Sequence, residues 1–306
     1  MTSYQFYLAE LAPNGRPAFL EKYLKCPSLL RLKNIGYFCG MDHASPAIYH
    51  FPEYISRYDH SLSTALLTSR FTSDRPAILA ALFHDVATPC FSHAIDFMNQ
   101  DYEKQESTEE YTERLLRADN YLAQCLKGDG ISLSQIIDFK QYPIVDNDRP
   151  RLCADRLDGL ILSGLGWSQD ISRDAIRELI AEAAIYQNED NLPEIGFKTR
   201  AAGEKALIAA KSLDAACSDS EDVYMMDLLA RITRRAIEQK YITYDNLYTY
   251  GEKELLNLFC KQPDPELSRL LDEFTTITSA NIHLDHPPRI KSRKLNPLVC
   301  GERLIK

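Results

Sequence analysis

The sequence lacks several features that would assign it to a specialised class of protein. Its longest uninterrupted apolar run, residues 77–83, is far shorter than the roughly 20 residues that span a bilayer. The first ten residues, MTSYQFYLAE, show no basic region followed by an apolar core. The eight cysteines include no C-x-x-C pair, which argues against a zinc knuckle or a redox motif. We therefore expect a cytoplasmic protein with reduced, mostly buried cysteines.

The chain also has fewer basic than acidic side chains. The chain has 44 acidic and 35 basic side chains, a formal net charge of -9, so its overall field repels nucleic acids and anionic membranes. We expect neither as a partner, and a small anionic ligand would need a local basic pocket. The 306 residues, of which 45% are hydrophobic, suffice for a sizeable core.

Helical periodicity dominates the chain, whereas strand-like alternation is scarce. Residues 61–71 carry an apolar stripe with His60 at its start. The next helix begins with the capping signals Ser73, Asp74 and Pro76 and continues through the apolar run 77–83. Further helices are predicted over residues 106–126, 150–162, 172–186, 203–216, 223–237 and 252–259. The pattern predicts an all-α fold.

A short acidic stretch, residues 218–222, marks a soft boundary between two parts of the chain. We expect a core over residues 1–217 and a helical C-terminal extension over residues 218–306. The alternation of Ile290, Ser292 and Lys294 near the end predicts a short edge strand or an extended tail.

An imidazole and a carboxylate, His84 and Asp85, stand side by side where the apolar helix ends. Burying them without a partner would be costly, and a metal ion is a natural compensating charge. A structural His–Asp hydrogen bond, or a helix end that carries a cationic His, would explain the pair as well. A helical hairpin would bring His60 near His84, but the spacing does not fix whether they converge on one ion.

A second acidic pair, Asp155 and Asp158, lies three residues apart on one face of a predicted helix. One carboxylate could ligate a metal while the other braces a ligand. The alternative is an exposed acidic edge, or a surface ion pair between Asp155 and Arg156.

The segments RYDHSLSTALL, AALFHDVATPCFSHAIDF and CADRLDGLILSG follow the order of the HD-superfamily phosphohydrolases: a His, a His-Asp pair and a distant Asp. They resemble most the deoxynucleoside triphosphate triphosphohydrolase branch, with its signatures R-F-E-H-S-L, H-D-x-x-x-x-x-F-S-H and D-K-x-D-Y. The resemblance implies a helical HD-domain bundle that holds one divalent ion. The implied ligands are His60, His84, Asp85 and Asp155, and the implied phosphate-facing residues are Arg57, His93 and Arg156.

Two imidazoles and two carboxylates suit Mg, Mn, Fe, Ni or Zn, so the donor set does not fix the metal. Four protein ligands leave an octahedral ion open positions for water and a phosphate oxygen, which favours hydrolysis of a phosphate ester or anhydride.

The chain departs from this branch at several positions. Thr88 and Gln105 stand where the branch has imidazoles, and the amide of Gln cannot act as a general acid or base. Glu106 and His93 are the remaining candidates for that role. With Asp158, Thr88 and Gln105 are expected to surround the ligands.

Two further departures lie in the helix after the last implied ligand. Gly159 and Ser163 replace a Tyr and an Asp of the branch, so the resemblance does not extend to the residues expected for sugar recognition.

These features together predict a divalent-metal-dependent phosphohydrolase whose small phosphorylated substrate is a nucleotide or deoxynucleotide. The alternative is a catalytically weak, metal- and nucleotide-binding sensor or regulatory protein, because both replaced imidazoles are catalytic in the branch. Family likeness also implies a homodimer or a higher homo-oligomer.

Overall fold

The computed structural model describes residues 1–105, 107, 111–284 and 287–305, and α- and 3₁₀-helices together make up more than half of it. Helices α1 to α15 span Ser3–Leu11, Leu20–Tyr23, Pro27–Leu30, Arg57–Ser69, Arg75–Phe83, His93–Met98, Tyr111–Ala118, Asn120–Asp129, Ser134–Ile137, Ala154–Gly166, Arg173–Glu182, Arg200–Ser218, Ser220–Glu238, Glu252–Phe259 and Pro265–Thr276. Short 3₁₀ helices cover Arg31–Asn34, Met41–His43, Phe139–Gln141, Tyr244–Tyr248 and Ser279–Asn281. The predicted helical character is confirmed.

A small four-stranded sheet departs from the all-α prediction. Its strands, in spatial order, are β1 (Ala183–Gln187), β2 (Pro193–Phe197), β3 (Leu298–Val299) and β4 (Glu302–Arg303). The β1–β2 and β3–β4 pairs are antiparallel, and β2 and β3 are parallel. The terminal strands therefore lie beyond the alternating residues 290–294, which form no strand.

The first hairpin of the sheet also corrects the prediction of a helix over residues 172–186. Helix α11 ends at Glu182, and the chain continues as β1. The side chain of Asn188 then accepts hydrogen bonds from the N–H groups of Asp190 and Leu192, at 3.0 and 3.1 Å. This local turn reverses the chain and sets the β1–β2 register.

The predicted helix over residues 106–126 consists of two helices where the structure describes it. Helix α7 ends at Ala118, and Asp119 caps α8 by accepting the Leu122 N–H at 2.9 Å. The same carboxylate accepts from the Ser28 backbone N–H and hydroxyl. An Asp with this many donors favours a helix start over a helix interior.

One hydrophobic core runs through both sides of the predicted domain boundary, from Tyr4 to Leu295. The polar stretch 218–222 is only a one-residue break, at Asp219, between α12 and α13. Helix α13 packs against α6, α12 and α15. The division into residues 1–217 and 218–306 stays a prediction, which limited proteolysis would test.

Two expectations from composition can be compared with the structure directly. None of the described helices is both long and apolar enough to cross a membrane. All eight cysteines are free thiols, and six of them are buried or partly buried.

Candidate metal centre

Three helices position the candidate ligands. Helix α4 starts at a capping box in which Ser56 and Asp59 exchange backbone-to-side-chain hydrogen bonds, and this places His60 in the first turns. Helix α5 packs against α4 and ends at Phe83, directly before His84. Helix α10 also packs against α4 and carries Asp155 in its first turn.

The side chains of His60, His84 and Asp155 converge on one point. Nε2 of His60 lies 3.2 Å from Nε2 of His84 and 3.0 Å from Oδ1 of Asp155. Nε2 of His84 lies 3.4 Å from the same oxygen. These three atoms could hold a metal ion, and both histidines are buried.

The other nitrogen of each ring shows which way the imidazoles are protonated. Nδ1 of His84 lies 2.7 Å from the carbonyl oxygen of Ala81, which can only accept a hydrogen bond. Nδ1 of His60 lies 2.7 Å from Oδ2 of Asp158, whose Oδ1 accepts the Tyr7 hydroxyl proton at 2.7 Å. Both rings thus donate from Nδ1 and aim Nε2 at the cluster, the arrangement typical of histidine ligands.

This arrangement fits a cation. With Nδ1 protonated, two neutral imidazoles point Nε2 lone pairs at each other and at Asp155, so three electron-pair donors crowd one small volume. Either a proton or a metal ion must lie among them. Burial disfavours the charged form of His60, yet its hydrogen bonds to Asp155 and Asp158 raise its pKa to about 10. Two imidazoles with carboxylates suit a divalent transition metal.

Asp85 lies at the edge of this group. Its carboxylate oxygens are 3.7 Å from His84 Nε2 and 3.8 Å from His60 Nε2, and Oδ2 accepts a hydrogen bond from Arg57 Nη1 at 3.0 Å. Burial opposes ionisation of Asp85, but the His84 ring in its protonated form and the guanidinium of Arg57 hold the pKa of its carboxyl well below the usual range. Asp85 is therefore ionised, but it lies outside the three-residue group, so its role as a fourth ligand stays a prediction.

A second possible metal group shares Asp155 with the first and adds Asp146 and Cys153. It is the weaker candidate for two reasons. Burial raises the pKa of the Cys153 thiol, so the thiol stays protonated. Asp146 is already paired with Arg156 at 2.8 Å.

A cavity of about 690 Å³ opens beside the cluster, and all four candidate ligands lie in its wall. This volume is within the range of small-molecule sites. The chain as a whole is acidic, but the described residues that line the cavity include seven basic ones: Arg57, Lys140, Arg149, Arg151, Arg156, Lys291 and Arg293. Six aspartates line the cavity as well, namely Asp85, Asp96, Asp146, Asp148, Asp155 and Asp222. The basic side chains nevertheless supply local positive charge for an anionic ligand, which the acidic chain as a whole lacks.

His93 and Thr88 also line the cavity. Nδ1 of His93 lies 2.9 Å from Oδ2 of Asp96. Burial lowers the pKa of His93, the positive charges of Arg57 and Arg293 act in the same direction, and the imidazole is neutral near pH 7. The backbone oxygen of Thr88 accepts from Arg31 Nη2 at 2.6 Å, which fixes the loop after Asp85.

Gln105 and Arg156 are held by neighbouring side chains. Oε1 of Gln105 accepts a hydrogen bond from Arg293 Nη2 at 3.1 Å, and its side chain is buried. Arg156 donates to Asp146, to Asn147 and to a backbone carbonyl. Both residues line the cavity, with Arg156 already committed to protein acceptors. Glu106, the other predicted acid–base candidate, lies outside the described residues.

Several residues of the site carried no signal in the sequence. Tyr7 reaches the centre from α1, and Arg293 reaches the cavity from the C-terminal segment. Tyr37 explains the small residue at position 159, because a Cβ there would lie 3.0 Å from its hydroxyl. These contacts join residues more than 100 positions apart, which no local spacing reveals.

Comparison of the sequence with known proteins finds a family model that it matches and relatives that it resembles. Residues 57–160, which contain all four candidate ligands, match the family model described as HD domain. The chain is 23% identical over 287 residues to the uncharacterized protein YdhJ of Bacillus subtilis, covering 92% of this chain and 83% of the relative. It is 21% identical over 248 residues to the metal-dependent phosphohydrolase cns2 of Cordyceps militaris, covering 79% of this chain and 70% of that protein. These matches support the placement of the chain, through its HD domain at residues 57–160, in the HD superfamily.

Proposed function

We propose that the protein is a divalent-metal-dependent phosphohydrolase that cleaves a phosphate ester or anhydride of a small molecule, with a nucleotide or deoxynucleotide as substrate. The observation that carries the proposal is the convergence of His60, His84 and Asp155 in the wall of a cavity that seven basic side chains also line. The match to an HD domain and the similarity to the Cordyceps phosphohydrolase point to the same chemistry.

The ligands in this proposal are His60, His84, Asp155 and, from the edge of the group, Asp85. They would hold one ion of Mg, Mn, Fe, Ni or Zn. Such an ion supplies positive charge for phosphate oxygens and the acidity that makes water a nucleophile near neutral pH.

The protein's own residues orient this centre. Asp158 fixes the ring of His60, and the Ala81 carbonyl fixes that of His84. Arg57 holds Asp85 by an ion pair and lies over the ring of Tyr37, which leaves its guanidinium at the cavity wall. We assign Arg57 and Arg156 to phosphate binding, where Arg156 would exchange protein acceptors for phosphate oxygens.

His93 is the described residue best suited to general acid–base catalysis. Its Nδ1 proton faces Asp96, so the neutral ring keeps the lone pair of Nε2 free to take a proton. The lowered pKa keeps this lone pair available near pH 7. Glu106 remains a second candidate from the sequence.

The triphosphohydrolase branch is one candidate within this function. Thr88 and Gln105 replace two imidazoles of that branch, and Gln105 is hydrogen-bonded to Arg293. A non-titrating amide cannot transfer a proton to or from the leaving group. This replacement supports a different leaving group, and it also motivates the alternative of a weakly catalytic metal- and nucleotide-binding sensor.

The test is a screen of the purified protein against nucleoside mono-, di- and triphosphates and p-nitrophenyl phosphate, each with several divalent metals. We expect phosphate or polyphosphate release that Asp85→Ala abolishes. Asp174→Ala, the same substitution at a surface position, serves as the matched control. Equal turnover by Asp85→Ala and the unmodified protein contradicts the proposal.

Calorimetry on the same samples distinguishes the phosphohydrolase from the alternative, a metal- and nucleotide-binding sensor. Nucleotide binding without any product by mass spectrometry favours the sensor, and recovery of turnover in Gln105→His identifies the missing imidazole as its cause. We also propose, from family likeness, a homodimer or higher homo-oligomer, which light scattering on the purified protein tests.

A further inference from the structure

A row of aromatic rings leads from the candidate metal centre to another part of the cavity. The ring of His60 lies 5.1 Å from that of Tyr37, which is followed by Phe38 at 5.3 Å, Phe51 at 4.4 Å and Tyr49 at 5.7 Å, all measured between ring centroids. All five rings line the cavity. The Phe38–Phe51 and Phe51–Tyr49 pairs are stacked, with interplanar angles of 11° and 12°. The wall thus offers flat apolar surface beside a polar centre.

The row ends at a buried carboxylate. Asp222, on α13, is 9% exposed and lines the same cavity. Its Oδ1 accepts the hydroxyl proton of Tyr49 at 2.7 Å, and no second hydrogen-bond donor to it is found among the described residues. A carboxylate can accept several hydrogen bonds, so most of its capacity is unused.

The charges on the described residues around Asp222 also indicate that its carboxylate lacks full compensation. Burial raises the pKa of its carboxyl to about 7, and the hydrogen bond from Tyr49 and the charge of Arg293 offset this only in part. A buried carboxyl with so few donors costs folding free energy. A purely structural acceptor for Tyr49 would not need a charge, because a neutral amide accepts the same hydrogen bond. A hydrogen-bond donor on a bound ligand would offset the cost of burying this carboxylate.

We propose that the aromatic row and Asp222 form the subsite for the non-phosphate end of the substrate, a planar nitrogen heterocycle that donates an N–H to Asp222. This inference rests on the proposed function, since the phosphate end is placed at the metal centre. Because the rings of Phe38, Phe51 and Tyr49 already stack on one another, they offer such a heterocycle apolar and edge-on contact in the cavity wall. Because Asp222 would repel a second anionic group, the ligand end at this place is a neutral base, and the donor in this proposal is its exocyclic amino group.

Arg293 lies between the two ends of the cavity. Its charge acts on both His93 and Asp222, and its guanidinium donates to Gln105. A cation at this place suits the phosphate-bearing part of a nucleotide, which is negatively charged, rather than its base. In this proposal the metal centre, Arg293 and Asp222 contact different parts of one ligand.

The test uses nucleosides, which lack phosphate and so report the subsite without the metal centre. The metal-loaded protein is titrated calorimetrically with three matched pairs that differ by one amino group: adenosine and purine riboside, guanosine and inosine, cytidine and 2-pyrimidinone riboside. We expect the amino-bearing member of at least one pair to bind about 10-fold or more tightly, because a hydrogen bond to a charged acceptor is worth at least this much.

Asp222→Asn should reduce that preference to about 2-fold or less. Asp227→Asn serves as the matched control, since this carboxylate lies on the same helix but pairs with Arg231 on the surface. Phe51→Leu should weaken both members of the pair alike. A thermal melt of each variant confirms that it is folded.

Equal binding within all three pairs, undetectable binding of every nucleoside, or an unchanged preference in Asp222→Asn overturns the subsite. Failure of the proposed function looks different. A protein that cleaves p-nitrophenyl phosphate but shows no amino preference refutes the subsite alone. A protein that shows the preference without any phosphate release refutes the hydrolase alone.

Discussion

The buried contact chain from Tyr7 through Asp158 to His60 should control metal binding, and Asp158→Asn tests it. Asp158 is 0% exposed and accepts two hydrogen bonds of 2.7 Å, from the Tyr7 hydroxyl and from His60 Nδ1. An Asn keeps the shape but replaces one oxygen by an amide nitrogen that cannot accept, so one hydrogen bond is lost. Loss of such support behind a histidine ligand lowers metal affinity by about 10–100-fold. This range corresponds to about 1.4–2.7 kcal/mol.

Tyr7→Phe separates the two hydrogen bonds. It removes only the hydroxyl donor and leaves the contact between Asp158 and His60 intact. We expect a smaller loss of metal affinity, but a fall in the free energy of unfolding of about 1.5–3 kcal/mol, because a buried charged acceptor loses a partner.

Calorimetric titration of metal-stripped protein with Mn²⁺ measures the affinities, and urea unfolding measures stability. Asp96→Asn is the matched control, since Asp96 makes the same kind of contact, 2.9 Å long, with a histidine outside the three-residue group. Wild-type affinity in Asp158→Asn, or an equal loss in Asp96→Asn, would refute the reasoning.

Three further predictions concern charges elsewhere in the molecule. Because burial raises the pKa of Asp222 to about 7, its ionisation costs stability as pH rises from about 4 to 7. Asp222→Asn should therefore gain up to about 4 kcal/mol in unfolding free energy over the wild type by pH 8, and little at pH 4. Arg293→Gln should raise KM for a phosphorylated substrate about 10-fold with a smaller change in kcat, measured by steady-state kinetics. Arg303→Ala should destabilise the protein by about 3–5 kcal/mol in urea unfolding, because it leaves the fully buried Glu194 without its ion-pair partner. Arg200→Ala is the matched control: it breaks an exposed ion pair with Glu204 and should cost at most about 1 kcal/mol.

The residue chemistry of the sequence was enough to nominate the candidate ligands. His84 and Asp85 are conspicuous because an apolar helix ends in two polar groups, and Asp155 and Asp158 share one helix face. Their convergence could not be read from spacing, because it depends on how α4, α5 and α10 rotate and cross. The structure brings the atoms of His60, His84 and Asp155 within 3.4 Å of one another.

Local physical features explain why the sequence pattern does not predict the four strands. Residues 183–187 extend the apolar spacing of α11, so their pairing with β2 is invisible until the Asn188 turn is known. Strands β3 and β4 have two residues each, too few for alternation to show. The acidic stretch 218–222 predicts a boundary, yet α13 places Asp222 of that stretch in the cavity wall.

A crystal structure of the protein grown with Mn²⁺, in which anomalous scattering locates the metal, would show directly whether the four residues bind one ion. We expect one strong peak at coordination distance, roughly 2 Å, from Nε2 of His60 and His84 and from carboxylate oxygens of Asp85 and Asp155. A peak held instead by Asp146 and Cys153, or no peak among the histidines at saturating metal, would contradict this expectation.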